Sequence, residues 1–361
     1  MADTVSDPHA SAPAGVQAVT QSIQFPFEPP APDASVVEVA PGILWLRMPM
    51  PMQLDHINIY LLKDEDGWII VDTGLHTPAC KALWEQVVVT RLEGLPLKGL
   101  VCTHFHYDHA GLARWLTDRY AIPLWMTHGE FFTMRALGER LPDPPPEGLV
   151  LFHQRAGMSE ERIARMLAGL RKDPFMPPQP ESFRRLRAGD SLEIGGRSWR
   201  IIVGEGHSPE HACLYCAEDA ILIAGDQLLP RITSNVLVSS MEPEGNPLQL
   251  WLDSLERLDR LSPDTLVLPS HERVFRGLRP RVAELQAHHQ HQFDLLLAAL
   301  ADGARLSAFE AMSVLFPRSL KAAEEMMAVG ESLAHLAWLR YAGQIVRTLD
   351  EDGVYRFAMA A

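Results

Sequence analysis

A chain of 361 residues with 47% apolar content can build one large layered domain and a smaller companion. Its formal charge of −14 opposes nonspecific binding to nucleic acid or to an anionic membrane, since both need a surplus of Lys and Arg. No apolar run approaches the ~20 residues of a membrane-spanning helix, and Met1 to Asp7 has neither the basic nor the apolar region of a secretory signal. A cytoplasmic protein is expected. Cys80, Cys102, Cys213 and Cys216 are too few for a disulfide framework.

Residues 1 to 34 are rich in Ala, Pro, Ser and Asp without a sustained period, and predict a flexible or extended arm. From Val36 short β-rich runs follow, split by Pro-Gly and Asp-Gly turns, and the last of them, Trp68 to Val71, ends in Asp72-Thr73-Gly74. A helix over Pro78 to Val89 comes next, then the apolar run Leu100-Val101-Cys102, a buried strand that empties into His104-Phe105-His106-Tyr107-Asp108-His109. Residues i and i+2 of an extended loop project to the same side. His104 and His106 can therefore grip one cation, while Asp108 and His109 reach a second about 3.5–4 Å away, the spacing of two-metal sites. For Asp72 two readings stand level: a turn or capping residue, or a carboxylate that orients a ligand histidine.

Further along, Ile122 to Met126 predicts a strand and Gly129 to Leu137 a helix. Residues 139–188 hold eight prolines around one helix capped by Ser159, and read as a lid-like insertion whose inner face carries Phe175, Met176 and Phe183. The hairpin Ser191 to Val203 leads into Gly206-His207-Ser208, which frees His207 to act as the third ligand of the first cation. Cys213 and Cys216 fall three apart on a strand and so face opposite sides, which argues against a zinc knuckle or redox pair. The buried strand Ala220 to Gly225 ends on Asp226, an expensive place for an acid unless it is paired or bound to metal. Asp226 is the candidate bridge between the cations. Thr265 to Ser270 repeats the device with His271, which completes the second cation.

Asp72-Thr-Gly, His104-x-His106-x-Asp108-His109, His207, Asp226 and His271 together resemble the metallo-β-lactamase superfamily of hydrolases over residues 36 to 275. The resemblance implies an α+β fold, an αββα sandwich with the metal site at one edge between two sheets. The superfamily's diiron flavoprotein branch typically has Glu where this chain has His106, which favours a hydrolytic pair of zinc ions; iron and manganese accept the same donors. Two such divalent ions lower the pKa of a shared water and polarise a substrate oxygen. Asp108 is then expected to orient that water and receive its proton. A small-molecule thioester, lactone or ester is the expected substrate, with Arg231 and Asn235 as candidates for substrate contact; a single-strand-specific endoribonuclease is the alternative, and a non-catalytic binding protein stabilised by its metal is the third reading.

From Arg281 the chain turns helical, with His288, His289 and His291 expected on a solvated face, a helix at Ser307 to Leu315, another from Leu320 to Ile345, and a hairpin over Val346 to Phe357. Domains are expected at 35–280 and 281–361. The second resembles the small winged-helix-like domain that follows the hydrolase domain in the subgroup of β-lactamase-like protein 2, some of whose members act as single-strand endoribonucleases. Its surplus of Asp and Glu over Arg and Lys makes it a poor reader of phosphates. The oligomeric state stays open, a homodimer included.

Overall fold

The computed structural model describes residues 22–52, 54–138, 141–172 and 177–361. Its first sheet runs in chain order through β1 (Val37–Ala40), β2 (Ile43–Pro49), β3 (His56–Asp64), β4 (Gly67–Val71), β5 (Leu97–Val101), β6 (Leu124–Thr127) and β7 (Arg184–Leu186). Strands β1 to β4 are antiparallel, and β4 to β7 are parallel. The second sheet contains β8 (Ser191–Ile194), β9 (Arg197–Gly204), β10 (His211–Cys216), β11 (Ile221–Gly225) and β12 (Leu266–Pro269), ordered β12-β11-β10-β9-β8. Only its β11–β12 pair is parallel. Uninterrupted apolar runs such as β4 and β11 are buried along their whole length, as expected of strands covered on both faces.

The two sheets face one another across Trp45, Tyr60, Trp199, Leu214, Ile223 and Leu268. Each such side chain contributes roughly 1.5–3 kcal/mol by leaving water. Outside the first sheet lie α1 (Pro78–Arg91), α2 (Tyr107–Ala110), α3 (Ala113–Tyr120) and α4 (His128–Leu137). Thr77 starts α1 by accepting from the Cys80 amide at 3.2 Å, and Pro78 occupies its first turn, where no amide donor is needed. Four layers result, αββα. Cys213 packs on the helical side of the second sheet and Cys216 between the sheets, both as free thiols, which agrees with the opposite-face reading.

Three expectations change. The described part of the N-terminal arm is docked: Gln24 and Arg276 exchange backbone hydrogen bonds of 3.0 and 2.9 Å, and the guanidinium groups of Arg231 and Arg273 each lie 5.1 Å from the Phe25 ring centroid. Residues 1–21 lie outside the described residues. The 139–188 segment forms two helices, α5 (Glu147–Arg155) and α6 (Glu160–Leu170), instead of one. They pack on the C-terminal helices: the Phe309 amide donates to Ala156 O at 2.9 Å, and Arg162 pairs with Glu325 and lies 4.9 Å from the Phe309 centroid. The insertion is thus braced from behind and not a free lid. Phe183 stacks on Phe131 at 4.0 Å, while Phe175 and Met176 lie outside the described residues.

The third change concerns the C-terminal part. After α7 (Pro247–Asp259) come α8 (Leu278–Ala299), α9 (Ala308–Leu315), α10 (Ala322–Tyr341) and the hairpin of β13 (Ile345–Leu349) and β14 (Tyr355–Met359). Leu306 bridges to Phe357 beside that hairpin. One apolar cluster joins α6, the outer face of the second sheet, α7, α8, α9 and α10, and residue 280 lies in the first turn of α8. His289 is buried and not on a solvated face: its Nδ1 lies 3.0 Å from Nε2 of the buried His335, and its ring meets Trp251. His335 Nδ1 donates to the Glu331 carbonyl at 2.8 Å, which leaves Nε2 to accept from His289.

Burial and then the adjacent His335 hold the His289 pKa down to about 3, and burial holds that of His335 down to about 4. Both values lie below the free imidazole value, so the unfolded chain takes up these protons first and the fold loses stability as pH falls from about 6.5 toward 4. Each group removes up to about 1.4 kcal/mol per pH unit in that window. Melting temperatures measured between pH 7 and 4 are expected to fall less steeply in a His289→Gln/His335→Gln variant than in the wild-type chain; parallel curves would refute the assignment.

Candidate metal centre

The site begins with a fold-back after β4. Asp72 adopts φ +66°, a left-handed conformation that short polar side chains tolerate, and its amide donates to Val101 O at 2.9 Å. Its carboxylate thereby meets the next loop, accepting from the Thr103 amide at 2.8 Å and from His109 Nδ1 at 2.8 Å. The Thr73 hydroxyl donates to His109 O at 2.8 Å, and the Gly74 amide donates to Asp108 O at 2.8 Å. Asp-Thr-Gly is therefore the clamp that sets the shape of the His104 to Gly111 loop.

That loop, the His207 loop after β9, Asp226 after β11 and His271 after β12 converge at one edge of the sandwich. His104, His106, His207 and Asp226 form one group of donors and Asp108, His109 and His271 another, with donor atoms within 4.8 Å of one another in each. In the first, His104 Nε2 stands 2.8 Å from His106 Nδ1 and 3.2 Å from His207 Nε2. In the second, Asp108 Oδ2 stands 3.3 Å from His271 Nε2 and 3.6 Å from His109 Nε2. Asp226 serves both. Its Oδ2 lies 3.3 Å from His207 Nε2, and its Oδ1 lies 3.4 Å from His109 Nε2 and 3.3 Å from His271 Nε2. All seven residues expected as ligands are thus brought together.

These separations fit a cation. Zinc–nitrogen bonds of 2.0–2.1 Å place tetrahedral donors roughly 3.3–3.4 Å apart. His109 Nε2 is fully buried without hydrogen-bond geometry to any protein group, an expensive orphan that a metal would satisfy. The outer nitrogens are already committed: His109 Nδ1 to Asp72, His207 Nδ1 to Asn235 O at 2.7 Å, and His271 Nδ1 to His56 O at 3.0 Å. Each bond fixes the tautomer that leaves Nε2 free to ligate.

Electrostatics divides the two groups. Burial, reinforced by the neighbouring imidazoles, holds His104 well below the ordinary histidine range, and burial and then His207 bring His106 to about 3. His104 and His106 are thus neutral ligands. In the other half burial again works to lower His109, but Asp108, Asp72 and Asp226 raise it well above its usual value. Burial works to raise Asp108, yet His109 and His271 bring it to about 2; Asp226 is likewise held well below the usual carboxylate range by His271 and His109. Three carboxylates thus converge on His109, the charge environment that a cation at Nε2 would balance.

Of the two candidates for substrate contact, Asn235 reaches the centre through its backbone carbonyl, while the Arg231 guanidinium lies over Phe25 and is not brought among the donors. Two residues escaped the sequence reading. His211, at the start of β10, is fully buried, stacks 4.8 Å from His104, and accepts from the Asp226 amide at 3.1 Å through Nε2. Gly225 adopts φ +52°, and a Cβ there would come within 2.5 Å of the His211 ring, so the chain can pass only as glycine. Glu130, fully buried at the start of α4, accepts from the Phe105 amide at 3.0 Å, the Ser208 hydroxyl at 2.7 Å and the Glu210 amide at 2.7 Å. It ties the His104 loop to the His207 loop. Its signal was faint: one acid beside Phe131 and Phe132 in an apolar helix start.

Removing that tie frees both loops, so Glu130→Ala is expected to weaken metal retention about 10–100-fold, the usual cost of a lost outer partner. Competition with a chromogenic chelator measures it; unaltered retention in a folded variant would show that the two loops hold themselves.

The profile described as Metallo-beta-lactamase superfamily matches residues 52–271, and one described as Metallo-beta-lactamase-like, C-terminal domain matches residues 293–360. The crystal structure of a beta-lactamase domain protein from Burkholderia ambifaria is 42% identical, with a TM-score of 0.86 over 94% of this chain and 98% of that one. The probable metallo-hydrolase YqjP of Bacillus subtilis is 23% identical over 87% of this chain and 97% of its own length. A hydroxyacylglutathione hydrolase of Synechococcus is 25% identical over 64% of this chain and 72% of its own. The donor geometry, the four-layer sandwich and these matches lead to one assignment: the chain belongs to the metallo-beta-lactamase superfamily.

Proposed function

We propose that this chain is a dinuclear metal-dependent hydrolase of a small acyl compound, a thioester, lactone or other ester, with Asp108 as its catalytic carboxylate. One observation carries the reading: the Asp226 carboxylate offers Oδ2 to one group of donors and Oδ1 to the other, which suits a shared ligand between two cations. When bound, two divalent ions lower the pKa of a water and polarise the oxygen of the bond under attack. His104, His106, His207 and Asp226 would hold the first ion, and Asp108, His109, His271 and Asp226 the second. Imidazole and carboxylate donors favour zinc while accepting iron or manganese.

Asp108, His106 and His207 are half-buried, whereas His104, His109, His271 and Asp226 are buried, so the centre opens on the side of these three residues, Asp108 among them. Its ionised carboxylate on that side can accept a hydrogen bond from the attacking water, orient it and take up its proton. Asp72 acts one step removed, by holding the His109 ring. The acyl substrate class is supported by the likeness to a hydroxyacylglutathione hydrolase, named for hydrolysing an acyl compound. The C-terminal helices and hairpin read as a winged-helix-like module, and their acidic balance supports a small molecule over a nucleic acid.

Metal analysis is expected to give about two ions per chain. Asp108→Asn is expected to lower kcat/KM for ester or thioester hydrolysis by about 10²–10⁴-fold while the first ion is retained; unchanged turnover would remove Asp108 from the chemistry. Chelation is expected to lower the melting temperature, because the buried carboxylates and imidazoles lose their shared counter-charge. Identical melting with and without chelator, together with no turnover across thioester, lactone, β-lactam and RNA substrates, would leave the metal reading unsupported.

A further inference from the structure

Away from the metal centre, β7, the turn that follows it, β9 and α7 enclose a cleft of about 660 Å³ lined by Arg185, Arg187, Arg200 and Arg257 together with Glu205 and Glu210. None of the seven donor residues lines it. Both acids are already engaged: Glu205 Oε2 lies 3.4 Å from Arg257 Nη2, and Glu210 Oε2 accepts from the Gly129 amide at 2.7 Å. Among the described residues, Arg185, Arg187 and Arg200 form no ion pair, and Arg200 meets only the Tyr215 ring at 5.9 Å. Elsewhere in this chain of net charge −14, Arg119, Arg197, Arg340, Arg347 and Arg356 are each paired with acids, while Arg184, Arg260 and Arg279 are single exposed arginines without an ion pair among the described residues; what sets Arg185, Arg187 and Arg200 apart is that they share one concavity.

The backbone holds these arginines in place. The Gly189 amide donates to Ile201 O at 2.9 Å, the Ile201 amide donates to Asp190 O at 2.7 Å, and the Arg187 amide donates to Asp190 Oδ2 at 2.9 Å. Gly189, at φ +84°, allows the tight turn that swings the Arg185 to Arg187 stretch alongside β9. Unpaired guanidinium groups gathered in one concavity repel one another, and an anion that accepts their forked donors relieves that repulsion. The volume lies within the roughly 300–1,000 Å³ of small-ligand sites, and Ile202 and Val203 give it an apolar wall for an organic body.

We infer that this arginine cleft is a second ligand site, built for a small phosphate-bearing anion and separate from the metal centre. Glu205 and Glu210 bracket the His207 loop, so the ligand would sit against the back of that loop without reaching the cations.

Inorganic pyrophosphate titrated calorimetrically into the metal-loaded protein tests the assignment. Saturable binding that weakens as salt is raised is expected, with an affinity loss of at least about tenfold in Arg185→Ala/Arg200→Ala at an unchanged melting temperature. Arg187→Ala, at an exposed position, provides the same reading should the double variant fail to fold. Binding that survives both variants but is abolished by His104→Ala would place the probe on the metal centre and overturn the inference. So would the absence of saturable binding at millimolar pyrophosphate, or a single-stranded oligonucleotide that displaces the probe and binds through the same arginines more tightly than pyrophosphate does.

Discussion

Burying a carboxylate without a counter-charge costs several kcal/mol, and Asp226 stands at the end of a strand with 8% of its surface exposed. Much of the site's architecture answers that cost. The Ser270 hydroxyl donates to Oδ1, the His211 ring fixes the amide, and four imidazole nitrogens from three other loops face its two oxygens. Those loops are strand ends, so their positions follow from sheet register. β11 and β12 are parallel neighbours whose ends bring Asp226 beside His271, and the first sheet delivers Asp72 and the His104 loop from β4 and β5 in the same way.

Such strand-end chemistry is the part that a sequence displays openly. An acid or imidazole directly after an unbroken apolar run is anomalous, which is why His104, His106, Asp108, His109, His207, Asp226 and His271 were readable and why they meet. Asp72 was ambiguous for a physical reason: capping a turn and orienting a histidine call for the same carboxylate, and here its accepted bonds from Thr103 and His109 do both. Glu130 left only a faint trace and His211 none, because each acts through backbone amides of residues distant in sequence, and no local spacing records those partners. His289 misled for a related reason. Its own helix is polar around it, and only α10 and Trp251, arriving from elsewhere, bury it.

The layered fold was legible from the alternation of apolar runs with helices, but the organisation behind the second sheet was not. Proline-rich texture between residues 139 and 188 reads as a separate flap, yet Met158, Ile163 and Met166 share one core with Leu248, Trp251, Ala311 and Val329. An apolar helix face must be covered, and composition does not say by what. The covering here comes from the C-terminal helices. The insertion and the C-terminal part therefore form a common layer on the second sheet, and a perturbation of either reaches the back of the strands that carry His207 and Asp226.

That arrangement separates rigidity from reach. His109, His207 and His271 are locked from outside by bonds to Asp72 and to backbone carbonyls, so these three donors have little room to shift. The exposed arginines beside β9 lack such locks: they are long side chains without ion pairs, on a strand and turn that are themselves hydrogen-bonded. Glu210 connects the two regions physically. Its carboxylate holds the Gly129 amide at the rim of the arginine cleft, while its own amide donates to Glu130, the residue that ties the His104 and His207 loops. The cleft and the tie between the His104 and His207 loops are thus joined through the single residue Glu210.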